Sequence, residues 1–346
     1  MPDATYGYVR SLSSADLREV SLPILMMNAF HLMQKPGSTV INTLGGLHRM
    51  AAWSGLIMTD SGGFQAYSLI RQNAKFGSLG DKGIIFYPEA SSRKLLLTPE
   101  KSIQLQMSYG SDILVCLDDC THVNASRAEQ EASVTRTLAW AARAKSSYLA
   151  QLRSRKWSEE ERPLIFAVIQ GGGELDLRRR CAEGLLEIGF DGFGFGGWPL
   201  DEDSRLLTDI LEYTRSLIPR EFPIHALGIG HPAGIAASYQ LGYEMFDCAL
   251  PTRDARHGRL FTWSESDPIL SADGDWLKFR YINSEENFRD TGPISPDCDC
   301  ECCRDYAMAY LFHLYRMRDP GYMRLATKHN LRFMTRLIER LRAQNA

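Results

Sequence analysis

Short apolar runs rich in β-branched residues recur along the chain, and segments with a helical period separate them. Seven such runs have the length of a strand: 24–28, 56–60, 113–118, 164–170, 192–196, 225–229 and 245–249. The segments between them, such as 133–153 and 175–188, are long enough and periodic enough to form helices. Apolar strands that alternate with helices predict a parallel sheet that is covered on both faces.

The number of strands favours a closed barrel over an open sheet. A short N-terminal strand and the run 259–262 bring the total to nine, which is roughly the eight strands of the (β/α)8 barrel. After Phe261 the pattern changes to a polar, irregular stretch that reaches about residue 297. The predicted fold class is therefore α/β, a (β/α)8 TIM barrel followed by a region of different character.

Polar residues stand at one end of the predicted strands. The positions at or just beyond a carboxyl end are Asp60, Asp118, Gln170, Gly196, Gly197, Gly230 and Asp247. Barrel enzymes assemble their active sites at this end, whereas a random distribution of core polar residues would not select it. The pattern therefore predicts an enzyme.

Four of the eight cysteines crowd into residues 298–303, where the sequence reads CDCECC. In a chain without secretory features, such a cluster indicates a metal site rather than disulfides. Cys298, Cys300 and Cys303 form a C-x-C-x-x-C hook. Three thiolates need a fourth ligand to complete a tetrahedron, so the hook predicts a further ligand downstream.

Two histidines, His313 and His329, are candidates for the fourth ligand. Cys302 either replaces a member of the hook or remains a free thiol beside it. A closed site with four protein ligands is structural rather than catalytic, because no position is left for water. The predicted organisation is a catalytic barrel over 1–269, a zinc-binding subdomain over 270–330 and a C-terminal helix that packs back on the barrel over 331–346.

Composition and charge exclude some classes of protein. The chain has 346 residues, of which 44% are hydrophobic and 23% charged, as is typical of globular proteins. No apolar run could span a bilayer and no secretory signal is visible at the start, so we expect a cytoplasmic protein. The net charge of −3 argues against indiscriminate nucleic-acid binding. Residues 304–346 nevertheless carry nine basic against three acidic side chains, which indicates either a solvated helix face or a surface for a phosphate backbone.

Four motifs stand in one order along the chain. They are TDSGGFQ at 59–65, VIQGG at 168–172, FDC at 246–248 followed by PTRDAR at 251–256, and the cysteine hook with His329. In this register they resemble the tRNA-guanine transglycosylase family, the queuine tRNA-ribosyltransferases, over nearly the whole chain. The resemblance implies exchange of guanine at the anticodon wobble position of tRNA for a 7-deazaguanine base, preQ1 or queuine. It also implies His329 as the fourth ligand, a structural Zn²⁺ and a homodimer.

The resemblance assigns catalytic roles to two of the strand ends. It implies that Asp247 is the nucleophile that bonds to the ribose while guanine leaves, and that Asp60 is the general acid and base. The chemistry is consistent, because a carboxylate stabilises the positive charge that develops on the ribose, as in retaining glycoside hydrolysis. The structural alternatives are a turn formed by Asp60 and an ion pair between Asp247 and a nearby arginine.

The resemblance also implies how the substrate is held. The residues that would bind the base are Asp118, Gln170, Gly196 and Gly197 at its edge and Phe64 and Leu227 on its faces. Glycines let the backbone approach a base closely, and apolar side chains hold an extruded base by stacking. Arg253 and Arg256 would hold the anticodon loop, unless they form a purely structural pair.

Some positions depart from the family's pattern. The chain begins where members carry an additional N-terminal hairpin, so we expect that hairpin to be missing or the start to be displaced. Asp3 occupies a strand position that is usually apolar. Trp198 could enlarge, occlude or re-aim the pocket beside the base substituent, and Pro199 removes a backbone donor. Two other functions stay open: a silent partner subunit of such an enzyme, against which the four polar site residues count, and base exchange on DNA.

Overall fold

The computed structural model describes residues 1–72, 74–87, 95–122, 125–265, 270–271 and 273–344. Its strands are β1 Ile24–Asn28, β2 Leu56–Asp60, β3 Gly77–Gly80, β4 Gly83–Phe86, β5 Leu95–Leu97, β6 Ile113–Val115, β7 Leu164–Ile169, β8 Gly192–Phe195, β9 Ile224–Ala226, β10 Met245–Phe246, β11 Arg259–Trp263 and β12 Leu277–Tyr281. Its α-helices are α1 Ser14–Glu19, α2 Ala29–Leu32, α3 Ser38–Thr43, α4 Leu47–Ala51, α5 Gly63–Gln72, α6 Pro99–Tyr109, α7 Arg127–Arg155, α8 Leu175–Ile188, α9 Thr208–Ser216, α10 Pro232–Gln240, α11 Leu250–Arg256, α12 Glu301–Asp305, α13 Met308–Arg316 and α14 Pro320–Gln344. None of the helices in these ranges combines the length and the apolar character that a membrane crossing needs.

Seven parallel strands form one sheet in the order β1-β2-β6-β7-β8-β9-β10. The N-terminal residues join its two edges, because Pro2 forms a parallel bridge with Cys248 just beyond β10 and Asp3 forms one with Met26 of β1. The amide of Ala4 also donates to the carbonyl of Met26 at 2.7 Å. The N-terminal segment therefore takes the eighth place in the barrel, and the predicted fold class is confirmed.

The assignment of the run 259–262 to the barrel was wrong. This run lies in β11, which pairs antiparallel with β12 in a separate two-stranded sheet. Residues 260–262 of this run are buried all the same, and Phe261 packs against Phe333 of α14 with the ring centroids 5.7 Å apart. An apolar run shows that a strand is buried but does not show which strand it pairs with.

The barrel interior is filled below the carboxyl ends of the strands. Met26, Met58, Val115, Phe166 and Val168 form one buried cluster there. The Phe166 ring fills the space beside Gly192 of β8, where a Cβ would lie 2.4 Å from that ring. The barrel is therefore a packed core rather than a pore, and ligands can enter only at its ends.

The C-terminal region packs around the buried cysteines and is tied to the barrel by α14. This helix runs without a break through the predicted border at 330/331. The residues of its second half that join the core between strands and outer helices are Phe333, Leu337 and Leu341. Lys328, fully buried, forms ion pairs with Glu19 of α1 and Glu301 of α12. The predicted division into three units stays a prediction, and residues 266–269, beside its first border, and 345–346 lie outside the described residues.

Candidate active site and metal cluster

A cavity of about 450 Å³ opens at the carboxyl ends of the barrel strands. Part of its lining comes from Met26, Val115 and Val168 of the interior cluster. The whole set of predicted catalytic and base-binding residues also lines it: Asp60, Phe64, Asp118, Gln170, Gly196, Gly197, Leu227 and Asp247. The structure thus brings together residues that stand up to 187 positions apart in the sequence.

Asp60 ends β2 and accepts hydrogen bonds on both oxygens. Asn28 Nδ2 donates to Oδ2 at 2.7 Å, and the amides of Gly62 and Ala29 donate to Oδ1 at 3.0 and 3.3 Å. Removal from bulk water raises the pKa of Asp60 to about 7; these hydrogen bonds oppose the rise, and the charge of Asp247 adds to it. The turn named as the structural alternative is present, but the group is also half protonated near neutral pH, as a general acid and base requires.

Asp247 lies just beyond β10, and its pKa is shifted in the direction opposite to that of Asp60. His225 Nε2, buried on β9, donates to Asp247 Oδ1 at 2.8 Å, and the amide of Gly228 donates to the same oxygen at 3.1 Å. Removal from water alone would raise the pKa of Asp247, but the hydrogen bond and charge of His225 and the Gly228 amide outweigh it and hold that pKa below its ordinary value. Among the described residues its ion-pair partner is His225, not an arginine.

Asp118 and Gln170 form the opposite side of the cavity. Gln170 Nε2 donates to Asp118 Oδ2 at 2.6 Å. Gln170 is fully buried, and its Oε1 has no hydrogen-bond partner in the described part of the chain. Removal from water raises the pKa of Asp118 to about 7; the Gln170 hydrogen bond opposes the rise and the charge of Asp119 adds to it. A buried amide oxygen without a donor beside a carboxylate suits a ligand that presents adjacent N–H groups.

The wall next to Gln170 is bare backbone. A Cβ at Gly196 would lie 2.5 Å from Gln170 Nε2, and Gly197 has a φ of +89°, so neither position accepts a side chain without strain. Arg178 holds this wall from behind. Its guanidinium donates to the carbonyls of Gly172 at 2.7 Å, Gly196 at 3.1 Å and Ile169 at 3.4 Å.

Aromatic side chains stand at the mouth of the cavity. The rings of Phe64 and Trp198 meet edge to face with centroids 5.9 Å apart, and both residues are more than two-fifths exposed. Pro199 is buried and presents no amide, while its carbonyl accepts from the amide of Leu207 at 2.9 Å. Trp198 therefore borders the entrance, and the adjacent wall offers a ligand no donor at position 199.

Arg253 and Arg256 lie outside the cavity lining, on α11, which begins three residues after Asp247. Arg253 is exposed, and Arg256 Nη1 is buried without a hydrogen-bond partner among the described residues. Loss of water and then the charge of Arg10 lower the pKa of Arg256, while the charge of Asp3 opposes them. A guanidinium group with an unpaired N–H in the field of other arginines favours an anion such as a phosphate.

The four predicted metal ligands come together in the C-terminal region. The Sγ atoms of Cys298, Cys300 and Cys303 and one ring nitrogen of His329 all lie within 4.8 Å of one another. His329 Nε2 lies 2.8 Å from the carbonyl oxygen of Phe261 and therefore carries the proton, which leaves the Nδ1 lone pair facing the cysteines. Three thiolates and one imidazole at this spacing fit a closed tetrahedral zinc site.

The other two candidates at the metal cluster are excluded from it. His313 is exposed on α13, whereas Cys302 is fully buried in the surrounding apolar core and is not one of the four clustered ligands. Asn330, the residue after His329, connects the cluster to α11: its Nδ2 donates to the carbonyl of Pro251 at 3.0 Å. The helix that carries His329 is thereby joined to the helix that carries Arg253 and Arg256.

Comparison with known proteins decides which family these features belong to. The family model described as queuine tRNA-ribosyltransferase matches residues 1–344. Relatives of that name are 35% identical in Psychrobacter sp. (strain PRwf-1), 36% in Lysinibacillus sphaericus (strain C3-41) and 37% in Solidesulfovibrio magneticus. Each comparison covers 99% of this chain and 83 to 85% of the relative. The chain belongs to the queuine tRNA-ribosyltransferase family. It is accordingly a pentosyltransferase enzyme, and the resemblance found in its motifs is confirmed.

Two residues that support the cavity from behind its lining were missed by the sequence analysis. His225 was treated as part of a strand, although its side chain holds the carboxylate of Asp247. Arg178 was treated as part of a helix, although it is 1% exposed and organises the wall beside Gln170. A sequence signal exists for Arg178, because it shares the apolar stripe of α8 with Cys181 and Leu185. A charged residue in such a stripe needs buried partners.

Proposed function

We propose that this enzyme exchanges guanine at the anticodon wobble position of tRNA for a 7-deazaguanine base, preQ1 or queuine, in queuosine modification. The proposal rests on one observation: two carboxyl groups, one with a raised pKa and one with a lowered pKa, line the same cavity. The pKa of Asp247 lies below its ordinary value, and that of Asp60 is raised to about 7. A nucleophile and a proton donor are what the cleavage of an N-glycosidic bond requires.

In the first half of the reaction, an oxygen of Asp247 attacks C1′ of the ribose while the bond from C1′ to the guanine nitrogen breaks. The electron pair of that bond goes to guanine, and the proton of Asp60 neutralises it. The positive charge that develops on the ribose is stabilised by the Asp247 carboxylate, as in retaining glycosidases. The RNA then remains bonded to Asp247, which His225 and Gly228 hold in place.

In the second half, Asp60 is a carboxylate and accepts the proton from the ring nitrogen of the incoming base. That nitrogen attacks C1′, and the bond between Asp247 and the ribose breaks with its electron pair returning to the carboxylate. Both side chains regain their starting protonation states. The reaction consumes no water and needs no redox cofactor, because one base replaces another on the same carbon.

Base recognition follows from the acceptors on β6 and β7. Ionised Asp118 and the unpaired Oε1 of Gln170 match the adjacent N–H groups of a guanine edge, which is shared by guanine and its 7-deaza analogues. Phe64 and Leu227 supply apolar surface for the ring faces. Selection between preQ1 and queuine would fall to the segment that begins at Trp198, which borders the entrance.

The arginines of α11 and the metal cluster have roles in binding the RNA under this proposal. We propose that Arg253 and Arg256 contact the anticodon loop, and that Cys298, Cys300, Cys303 and His329 hold a structural Zn²⁺. The ion would fix α14 against the cysteine hook. Because Asn330 of α14 donates to the carbonyl of Pro251 in α11, a fixed α14 would in turn steady the helix that carries the two arginines. A homodimer and a cytoplasmic location, both expected from the sequence, remain predictions.

The test is release of radiolabelled guanine from the wobble position of an unmodified tRNA, with preQ1 or queuine added in parallel. Release that depends on one added base supports exchange and identifies the donor. Asp247→Asn, which keeps the shape of the side chain, should abolish both release and an RNA–protein adduct that survives denaturation. Asp209→Asn on the exposed first turn of α9 serves as the matched control.

Two results would contradict the proposal in different ways. If the folded, zinc-loaded wild type releases guanine with neither base, the tRNA exchange reaction is refuted, and a silent subunit or a DNA substrate becomes the better explanation. If Asp247→Asn releases guanine as fast as the wild type, the exchange stands but the covalent role of Asp247 does not.

A further inference from the structure

Asp3 is a carboxylate of the active-site cavity that has no part in the mechanism above. It lines the same cavity as Asp60 and Asp247. Its place is set by the barrel closure: Asp3 bridges Met26 of β1, and Pro2 bridges Cys248, the residue that follows Asp247. Asp3 therefore stands at the strand end next to that of Asp247.

The position of Asp3 around the barrel indicates which part of the substrate it faces. The N-terminal segment lies between β10 and β1, so β7 is the strand directly across the barrel from it. The acceptors for the base edge, Asp118 and Gln170, lie at the ends of β6 and β7. When C1′ is bonded to Asp247 and the base points toward β7, the ribose occupies the near side of the cavity, beside Asp3.

The two oxygens of Asp3 differ in their surroundings. Oδ1 accepts from the amide of Thr5 at 2.9 Å and from the Thr5 hydroxyl. Oδ2 accepts no hydrogen bond from the described residues. An ionised carboxylate can only accept hydrogen bonds, so the free oxygen calls for a donor from the ligand. The 2′-hydroxyl, on the carbon next to C1′, is such a donor and is the group that distinguishes RNA from DNA.

We propose that Asp3 Oδ2 accepts a hydrogen bond from the 2′-hydroxyl of the target nucleotide and makes the enzyme selective for RNA. The inference rests on the proposed function, because the bond to Asp247 is what places the ribose. It also gives a purpose to a charged residue at a strand position where a barrel would ordinarily place an apolar one. The charge of Asp3 is compensated in part by the neighbouring Arg256.

The experiment uses two anticodon stem-loops that differ only in guanosine or 2′-deoxyguanosine at the wobble position. Incorporation of radiolabelled guanine is measured, since guanine-for-guanine exchange does not depend on which 7-deazaguanine is the natural donor. Asp3→Asn is the informative variant: its amide oxygen keeps the bonds to Thr5, while an N–H group replaces Oδ2. Asp209→Asn is the matched control, and thermal unfolding checks that each variant is folded.

We expect Asp3→Asn to lower kcat/KM for the ribose substrate by roughly tenfold to a hundredfold, the effect of losing one charge-assisted hydrogen bond. The rate for the deoxyribose substrate should change by less than about threefold. The ratio of the two changes isolates the contact from the different intrinsic reactivity of the two glycosidic bonds.

Equal loss on both substrates would show that Asp3 only shapes the N-terminal segment, and no change on either would show that it touches no hydroxyl. Either result overturns the inference while leaving guanine exchange by the wild type intact. Failure of the wild type on the ribose substrate is a separate outcome that refutes the proposed function and this inference with it.

Discussion

Replacement of Arg178 by methionine tests whether the wall beside Gln170 is held from behind. Arg178 donates to three carbonyl groups, and its guanidinium carbon lies 4.2 Å from the centroid of the Phe195 ring. Methionine fills a similar volume without a donor, so the carbonyls of Gly172 and Gly196 lose their partner while the apolar contact is largely kept. The carbonyl of Ile169 keeps the amide of Gly196, which donates to it at 2.9 Å. We expect weaker binding of the base and a small loss of stability.

The size of the stability change follows from two opposing contributions. Each buried carbonyl that loses its donor costs about 1–3 kcal/mol, so the carbonyls of Gly172 and Gly196 together cost about 4 kcal/mol. Burial lowers the pKa of Arg178 from 12.5 to about 10, which corresponds to about 3 kcal/mol that the charge no longer costs once it is removed. The net loss is about 1 kcal/mol, and for a chain of 346 residues this lowers the Tm by roughly 1 °C.

The functional change should be confined to the base. Gly196 and the segment that carries Gln170 would shift, and misplacement by about 1 Å costs on the order of a hundredfold in a positioned reaction. We therefore expect the KM for the incoming base to rise at least tenfold while the KM for tRNA changes less than about twofold. The matched control is Arg179→Met, because Arg179 is exposed and donates only to the Tyr213 hydroxyl among its described contacts.

Thermal unfolding and steady-state exchange with each substrate varied in turn provide the measurements. The reasoning is refuted if Arg178→Met and Arg179→Met unfold at the same temperature, since the buried carbonyls would then have needed no donor. It is also refuted if the KM values for base and tRNA rise together, because the wall would then have no special connection to base recognition.

The remaining predictions concern pH and the metal. In the proposed reaction Asp60 gives its proton to the leaving guanine, and ionised Asp118 accepts from the base. Since the pKa of each is about 7, kcat/KM for guanine exchange should fall above neutral pH as Asp60 loses its proton and below neutral pH as Asp118 gains one. A profile that is flat from about pH 6 to 8 would contradict these assignments. Cys303→Ser should lose most of the bound zinc and several degrees of Tm, whereas Cys302→Ser should keep its zinc, as metal analysis and thermal unfolding would show. Equal zinc loss from both variants would mean that the cluster of Cys298, Cys300, Cys303 and His329 is not the metal site.

The parts of the fold that sequence predicted well are those in which local pattern and tertiary role coincide. The runs 24–28 and 56–60 became β1 and β2 with the predicted bounds, because a strand covered on both faces is apolar throughout. The cavity residues were likewise visible, since polar groups at successive strand ends must meet at the rim of a barrel. Asp60 and Asp247 could be paired in this way without knowledge of any side-chain position.

The parts that sequence could not predict depend on a partner far along the chain. β11 is as apolar as a barrel strand, and only its pairing with β12 shows that it lies outside the barrel. In the sequence, His225 is only one polar residue in a short strand. The fold brings its Nε2 within 2.8 Å of Asp247 Oδ1, just beyond β10. The identity of a residue shows which hydrogen bonds its side chain can donate or accept, but the fold determines which partner lies within reach.

In the proposed exchange reaction, the coupling between Asp60 and Asp247 would keep the total charge of the pair constant. Asp247 is ionised and its charge raises the pKa of Asp60, so the pair begins with one negative charge, on Asp247, and one proton, on Asp60. In the proposed first half reaction Asp247 loses its charge by bonding to the ribose, and Asp60 becomes the carboxylate at the same time. The repulsion that held the proton on Asp60 disappears as that proton is given away, and it returns when the incoming base displaces Asp247. In that reaction a single negative charge would move between the two side chains. The cavity would then never hold both carboxylates in ionised form at once, which removal from water would penalise most.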